Sequence, residues 1–312
     1  VMTRISRRRR SVPALIAMAL ASAVALSACS GSSDTAEASS DDSYTVTHAM
    51  GETVIDGTPE RVVVLDSPHL DALVALGHTP VGITESGAGT GAPPYLGDVD
   101  ADIVGLTSEP DIDAIAALAP DLIIGAKVRH EAIYDELSGI APTVYSENSG
   151  TDWQEQARIT AAAVGEDDEM EQLIDDLDTR IAEVGEQVGA EGTTLSIVRF
   201  RPDNFRLYGP ETFSGSILSQ MGFDLGEREW NEYSMAELSP ELYEQIAGDV
   251  VFFTNPGGDP SATTMATVTG LWGDLPAVKS GQTYEVEDET WMVGIGVLGA
   301  GEILDDVQEI LG

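Results

Sequence analysis

Residues 61–83 read RVVVLDSPHLDALVALGHTPVGI. Arg61-Val62-Val63-Val64-Leu65 is a short apolar run of the kind buried on both faces of a sheet. Leu70, Leu73, Val74 and Leu76 then recur at helical spacing, and Gly77 is a natural C-terminal stop. Val81-Gly82-Ile83 is a second short strand. Strand, helix and strand in one such stretch predict a parallel sheet with helices on its faces.

The pattern continues outward. Ile112, Ile115, Ala116 and Leu118 mark a helix closed by Pro120, and Leu122-Ile123-Ile124 is the next strand. Ile133, Leu137 and Ile140 mark a helix that Pro142 breaks before the strand starting at Val144-Tyr145. Met170, Leu173, Ile174, Leu177, Ile181, Val184 and Val188 then hold a helical stripe with acids on the other face, ended by the segment Gly189 to Gly192. Alternation resumes with a strand at Leu195-Ser196-Ile197-Val198 and a helix from Ser214 to Met221. Ser239-Pro240 reads as an N-cap with proline in the first turn of a helix to Ile246, and Val250-Val251-Phe252-Phe253 as a buried strand. The predicted fold is α/β, two lobes with mostly parallel sheets bridged by one long α-helix. The N-terminal lobe is set at 44–165, the bridging helix at 166–190 and the C-terminal lobe at 191–312.

The 312 residues are 42% hydrophobic, enough for a large core, and carry 15 Lys+Arg against 54 Asp+Glu, formally −39. Five arginines (Arg4, Arg7, Arg8, Arg9, Arg10) open the chain, followed by an apolar run from Val12 to Leu26 and by Leu26-Ser27-Ala28-Cys29. This is a signal-peptide pattern over 1–28. Small residues before the chain's one cysteine, then a polar tether over 29–43, resemble the lipobox of bacterial lipoproteins, in which Cys29 would be lipidated and hold the protein to the outer face of the cell membrane. Removing 1–28 takes away those five cations and no acid, leaving ten against 54, or −44. Such a surface repels phosphate backbones and excludes nucleic acid as a main partner. One cysteine excludes a disulfide framework.

Gly294-Ile295-Gly296-Val297-Leu298-Gly299 matches GxGxxG, but it leaves no room for a βαβ unit before the end of the sequence. No GxSxG, Walker A or HExxH is present. His48, His69, His78 and His130 are scattered, which argues against a zinc site; His78 reads as a helix C-terminal cap. The scarce cations carry more information. Arg199, Arg201 and Arg206 fall at the end of the Leu195–Val198 strand and in the turn after it, and Arg129 lies just past the Leu122–Ile124 strand. Ligands of open α/β sheets bind beyond the carboxyl ends of strands, so these arginines are candidates for a locally positive cleft; the alternative is pairing with surface acids. Phe200, Tyr208, Trp230, Tyr233 and Trp291 could form an aromatic wall there, or sit in the core.

Together these segments resemble the iron–siderophore-binding lipoproteins that feed ABC importers. The resemblance rests on Arg61 to Asp66 leading to Leu70-Asp71-Ala72-Leu73 and Gly77, on Glu109-Pro110-Asp111 before Leu118-Ala119-Pro120-Asp121-Leu122, and on Tyr134-Asp135-Glu136-Leu137 through Pro142. In the second half it rests on Val198-Arg199-Phe200, Phe213-Ser214-Gly215-Ser216, Leu271-Trp272 with Leu275-Pro276-Ala277-Val278, and Trp291 near Gly294 and Gly296. It implies two lobes on a rigid helix with small closure, a cleft arginine per lobe (Arg129, Arg199) and one permease-docking glutamate per lobe (Glu131, Glu241). Some hydroxamate-binding relatives carry an arginine where this chain has Leu106-Thr107-Ser108. The expected function is binding without chemistry: capture of a ferric siderophore, with hydroxamate or mixed hydroxamate/carboxylate type favoured, by a monomer with no resident cofactor, and delivery to an ABC permease. Another solute (haem, cobalamin, a free metal) and a lipid-anchored envelope enzyme are the alternatives.

Overall fold

The computed structural model describes residues 43–312. The expected signal peptide, Cys29 and almost all of the tether lie outside the described residues. A hairpin of β1 (Ser43–His48) and β2 (Gly51–Asp56) comes first. It is followed by β3 (Val62–Val64), α1 (Ser67–Ala75), β4 (Gly82–Glu85), β5 (Asp102–Leu106), β6 (Glu109–Pro110), α2 (Ile112–Ala117), β7 (Leu122–Ala126), α3 (Lys127–His130), α4 (Tyr134–Ser138) and β8 (Thr143–Ser146). Two longer helices follow, α5 (Trp153–Val164) and α6 (Asp167–Val188). The second half holds β9 (Leu195–Phe200), β10 (Phe205–Tyr208), α7 (Phe213–Met221), β11 (Met235–Leu238), β12 (Val250–Thr254), α8 (Met265–Thr269), α9 (Pro276–Ser280), β13 (Thr283–Glu285) and α10 (Val297–Leu311).

The first sheet has the order β6-β5-β4-β3-β7-β8, parallel except for β6. The second has the order β11-β10-β9-β12-β13; β9, β12 and β13 run parallel, while β10 and β11 return antiparallel. Val62, Val64, Ile83, Leu122 and Ile124 pack one face of the first sheet against Leu70 and Leu73 of α1, as the helical spacing requires. Met170, Ile174, Leu177, Ile181 and Val184 of α6 are buried, and their cluster also holds Ala72 of α1, Trp153 of α5 and Ile197 and Phe252 of the second sheet. One apolar core therefore runs from the helices of the first half into the second. Gly185 lets α6 approach α7 closely, because a Cβ there would lie 2.2 Å from the Met221 carbonyl oxygen.

Three local expectations change. Arg206 lies on β10, not in a turn, because β9 and β10 form an antiparallel pair with Arg199 directly opposite Arg206. The segment after Ser239 is a 3-10 helix, Pro240–Gln245, without a side-chain cap from Ser239; none of its six residues is buried, so no apolar stripe holds an α-helix there. His78 closes the end of α1 through its backbone amide, which donates to the Leu73 carbonyl at 3.1 Å, while its ring turns away to pair with Glu166 at 2.8 Å.

Candidate functional site

Each sheet reverses its winding once. From β3 the chain moves to β4 and β5 on one side, and β7 and β8 fill the other; from β9 it moves to β10 and β11, and β12 and β13 fill the other side. A crevice opens at such a switch point, beyond the carboxyl ends of the strands. Both crevices hold an ion pair. Asp66, just after β3, is buried; its Oδ1 accepts from the Ser67 amide at 3.0 Å, capping α1, and its Oδ2 accepts from Arg129 Nε at 2.9 Å. Arg129 also donates to Ser149 at 3.3 Å. In the second sheet Arg199 donates to Asp288 at 2.6 Å, and the other oxygen of Asp288 accepts from the Thr254 hydroxyl at the end of β12, at 2.8 Å. Burial alone would weaken the charge on Arg199; Tyr208 and Asp288 outweigh it and hold the guanidinium above its usual value.

The two crevices face one cavity of about 440 Å³, lined by Arg129, Arg199, Arg201 and Arg206 together with Asp66, Thr107 and Glu289. Arg206 is engaged by its cross-strand partner Glu237 at 2.7 Å, which relieves the like-charge opposition to Arg199. The side chain of Arg201 meets no hydrogen-bond or ion-pair partner among the described residues. Glu289 is held above the usual carboxyl value by burial and by the charge of Asp288, with Arg199 opposing. A second cavity of about 340 Å³ adjoins the first, sharing Arg129, Arg206, Met292 and Ile295.

The aromatic candidates divide. Tyr208 lines the second cavity, and so does Tyr233. Phe200 does not reach the cleft: alternation along β9 turns it to the opposite face from Arg199, and it is fully buried against Phe253 and Trp272. Trp291, though fully buried, lies in the wall of the second cavity, with its ring tilted 39° against Phe252 and its indole N–H donated to Asp306 at 2.7 Å. Trp230 packs on Gly209 and carries the Arg228 guanidinium 5.0 Å above its ring; it lines neither cleft cavity. Glu131 and Glu241 are both exposed, each in the first turn of a 3-10 helix.

The histidines are structural supports. His69 is buried, bonded to Thr160 at 2.8 Å and Ser146 at 3.0 Å, and burial lowers its pKa to about 4. His130 accepts from the Ala126 amide on Nδ1 and therefore carries its proton on Nε2, which donates to the Thr107 carbonyl at 2.9 Å. Among the described residues no group of three or more His, Cys, Asp and Glu is placed to hold a metal ion.

The GxGxxG letters acquire a different meaning. They lead into α10, whose first amides point at an anion as a helix start would, but the anion is the chain's own Asp71. Its carboxylate accepts from the Leu298 and Gly299 amides, both at 2.9 Å, and from the Tyr95 hydroxyl at 2.8 Å. Gly296, at φ +152°, has no room for a Cβ, which would fall 2.3 Å from Asp71. Burial pushes the Asp71 carboxyl up to about 6 in spite of its three donors. Sequence reading missed this residue; its signal would have been an acid within the otherwise apolar face of α1.

The family whose model matches this chain, over residues 62–290, is described as periplasmic binding protein. The chain is 37% identical over 307 residues to the probable siderophore-binding lipoprotein YfiY of Bacillus subtilis, covering 93% of this chain and 94% of that one. It is 30% identical over 302 residues to the Fe(3+)-citrate-binding protein YfmC of the same organism, covering 94% and 95%. Among solved structures it is similar to Staphylococcus aureus SirA complexed with staphyloferrin B, with a TM-score of 0.75 and 31% identity over 86% of this chain and 98% of that one.

Proposed function

Because the chain belongs to the periplasmic binding protein family, we propose that it captures a carboxylate-bearing ferric siderophore, of carboxylate or mixed hydroxamate/carboxylate type, and delivers it to an ABC importer from the outer face of the membrane, anchored there through Cys29. The observation that carries this reading is the placement of cations. Of the ten in the mature chain, four arginines line one 440 Å³ cavity of a molecule that is otherwise strongly anionic. A ferric chelate already satisfies its iron with ligand oxygens, so the receptor needs donors rather than metal ligands. Arg201 has its guanidinium uncommitted, and Arg129 is half exposed. These groups suit carboxylate oxygens through charge-assisted hydrogen bonds.

The relatives support the ligand class by their names: one is siderophore-binding, one Fe(3+)-citrate-binding, and SirA is complexed with staphyloferrin B. The long-range field of the acids, which taken alone favours neutral or cationic hydroxamates, is screened beyond about 8–10 Å in physiological salt. Inside the cleft the local donors decide. Titration of the delipidated protein with ferric and iron-free chelates, followed by quenching of tryptophan fluorescence, tests the proposal. Ferric citrate-type chelates are expected to bind at least about tenfold more tightly than ferric trihydroxamates and iron-free chelates. Equal or absent responses across the panel would overturn it.

A further inference from the structure

We propose that the cleft is divided into two compartments, and that the second takes an aromatic or alkyl arm of the same ferric chelate whose oxygens meet the arginines of the first. The inference rests on the ligand class proposed above. Six large apolar side chains are conspicuously exposed among the described residues, and two of them, Val128 and Tyr233, line the second cavity. They come from opposite sides: Val128 from α3, at the end of the first sheet, and Tyr233 from the loop before β11 of the second. Exposed apolar groups gathered at a concave site mark a binding surface.

The occupant follows from continuity. The two cavities share Arg129, Arg206, Met292 and Ile295, so they lie side by side, and an arm of a molecule held in the first has only these side chains to pass to enter the second. The first offers four guanidinium groups; the second retains two of them at its border and adds Tyr208, Tyr233, Phe213 and Met235. An oxygen-rich head and an apolar tail match that sequence of surfaces. The wall is preformed: Ser234, next to Tyr233, is buried at φ +56°, its hydroxyl accepts from the Glu211 amide and its carbonyl from the Gly209 amide. The backbone amides of Tyr233 and Met235 also both donate to the side-chain Oδ1 of Asn231, each at 2.9 Å.

The test compares the ferric complexes of citric acid and of its mono-benzylamide in the full mature chain. Burying the ring is expected to make the benzylamide complex bind roughly tenfold more tightly than ferric citrate. Val128→Ser and Tyr233→Ser should each bring that ratio close to one, whereas Arg201→Ala should weaken both complexes and keep the ratio. A ratio near one in the parent, or one untouched by Val128→Ser and Tyr233→Ser, overturns the second compartment while ferric capture stands. An iron-free probe, 8-anilinonaphthalene-1-sulfonate, separates the remaining case. If neither ferric complex binds but the probe binds and is lost in Tyr233→Ser, the ferric reading falls and the apolar compartment remains; if the probe also fails to bind, both fall.

Discussion

Arg199 and Arg201 are two positions apart on one strand end, yet they carry different loads. Arg199 is largely buried and held by Asp288, so truncating it strands a carboxylate that also anchors Thr254. Breaking such a pair from one side costs about 3–5 kcal/mol. Arg201 is spare, with no side-chain partner among the described residues to leave behind. Arg201→Ala is therefore expected to weaken ferric-chelate binding at least about tenfold with an unchanged urea midpoint, since the charge-assisted bonds lost are worth about 1.5–3 kcal/mol. Arg199→Ala should lower both affinity and midpoint. Fluorescence titration beside urea unfolding separates the two roles, and a stability loss in Arg201→Ala would contradict the assignment.

At the scale of elements, the tie between α1 and α10 has a pH signature. The Asp71 pKa rises from 3.8 to about 6 on folding, so between these values the native state holds a proton that the unfolded chain does not. Stability due to this group therefore falls as pH rises through that window, and above it the buried anion costs roughly 3 kcal/mol. Asp71→Asn cannot ionise. The parent should gain stability relative to this variant as pH drops from 7 to 4, measured as the difference in urea unfolding free energy; a difference independent of pH would refute the shift. The parallel elements around this tie were legible because Val62–Val64, Leu122–Ile124 and Val250–Phe253 are apolar without alternation, and the stripe of α6 is unbroken over its length. The cleft arginines were legible from scarcity and position. What escaped was decided by partners distant in sequence. Phe200 sits beside Arg199 but faces the core, and Arg206 finds its place only through its pairing with β9. Helix α10 was not expected from the sequence although Ala300, Ile303, Leu304 and Val307 repeat at its spacing, because Gly294, Gly296 and Gly299 fall at its start, where glycine lowers helix propensity.

For the whole molecule, Glu131 and Glu241 lie outside both cleft cavities and are exposed, so contact with a permease and contact with ligand can be tested apart. The double variant Glu131→Ala/Glu241→Ala is expected to bind the ferric chelate as the parent does while cellular uptake of the iron falls to background; normal uptake would remove these residues from docking. The core described earlier adds a constraint on that encounter. Since α1, α5, α6 and the second sheet share one apolar cluster, parting the second sheet from these helices would open a continuous core. A protein built this way is expected to keep nearly the same outline with and without ligand, which small-angle scattering of the two states would check. If it feeds an importer as proposed, unloaded copies would queue there alongside loaded ones, and iron traffic would depend on the fraction of the crowd that carries cargo rather than on any change of shape announcing it.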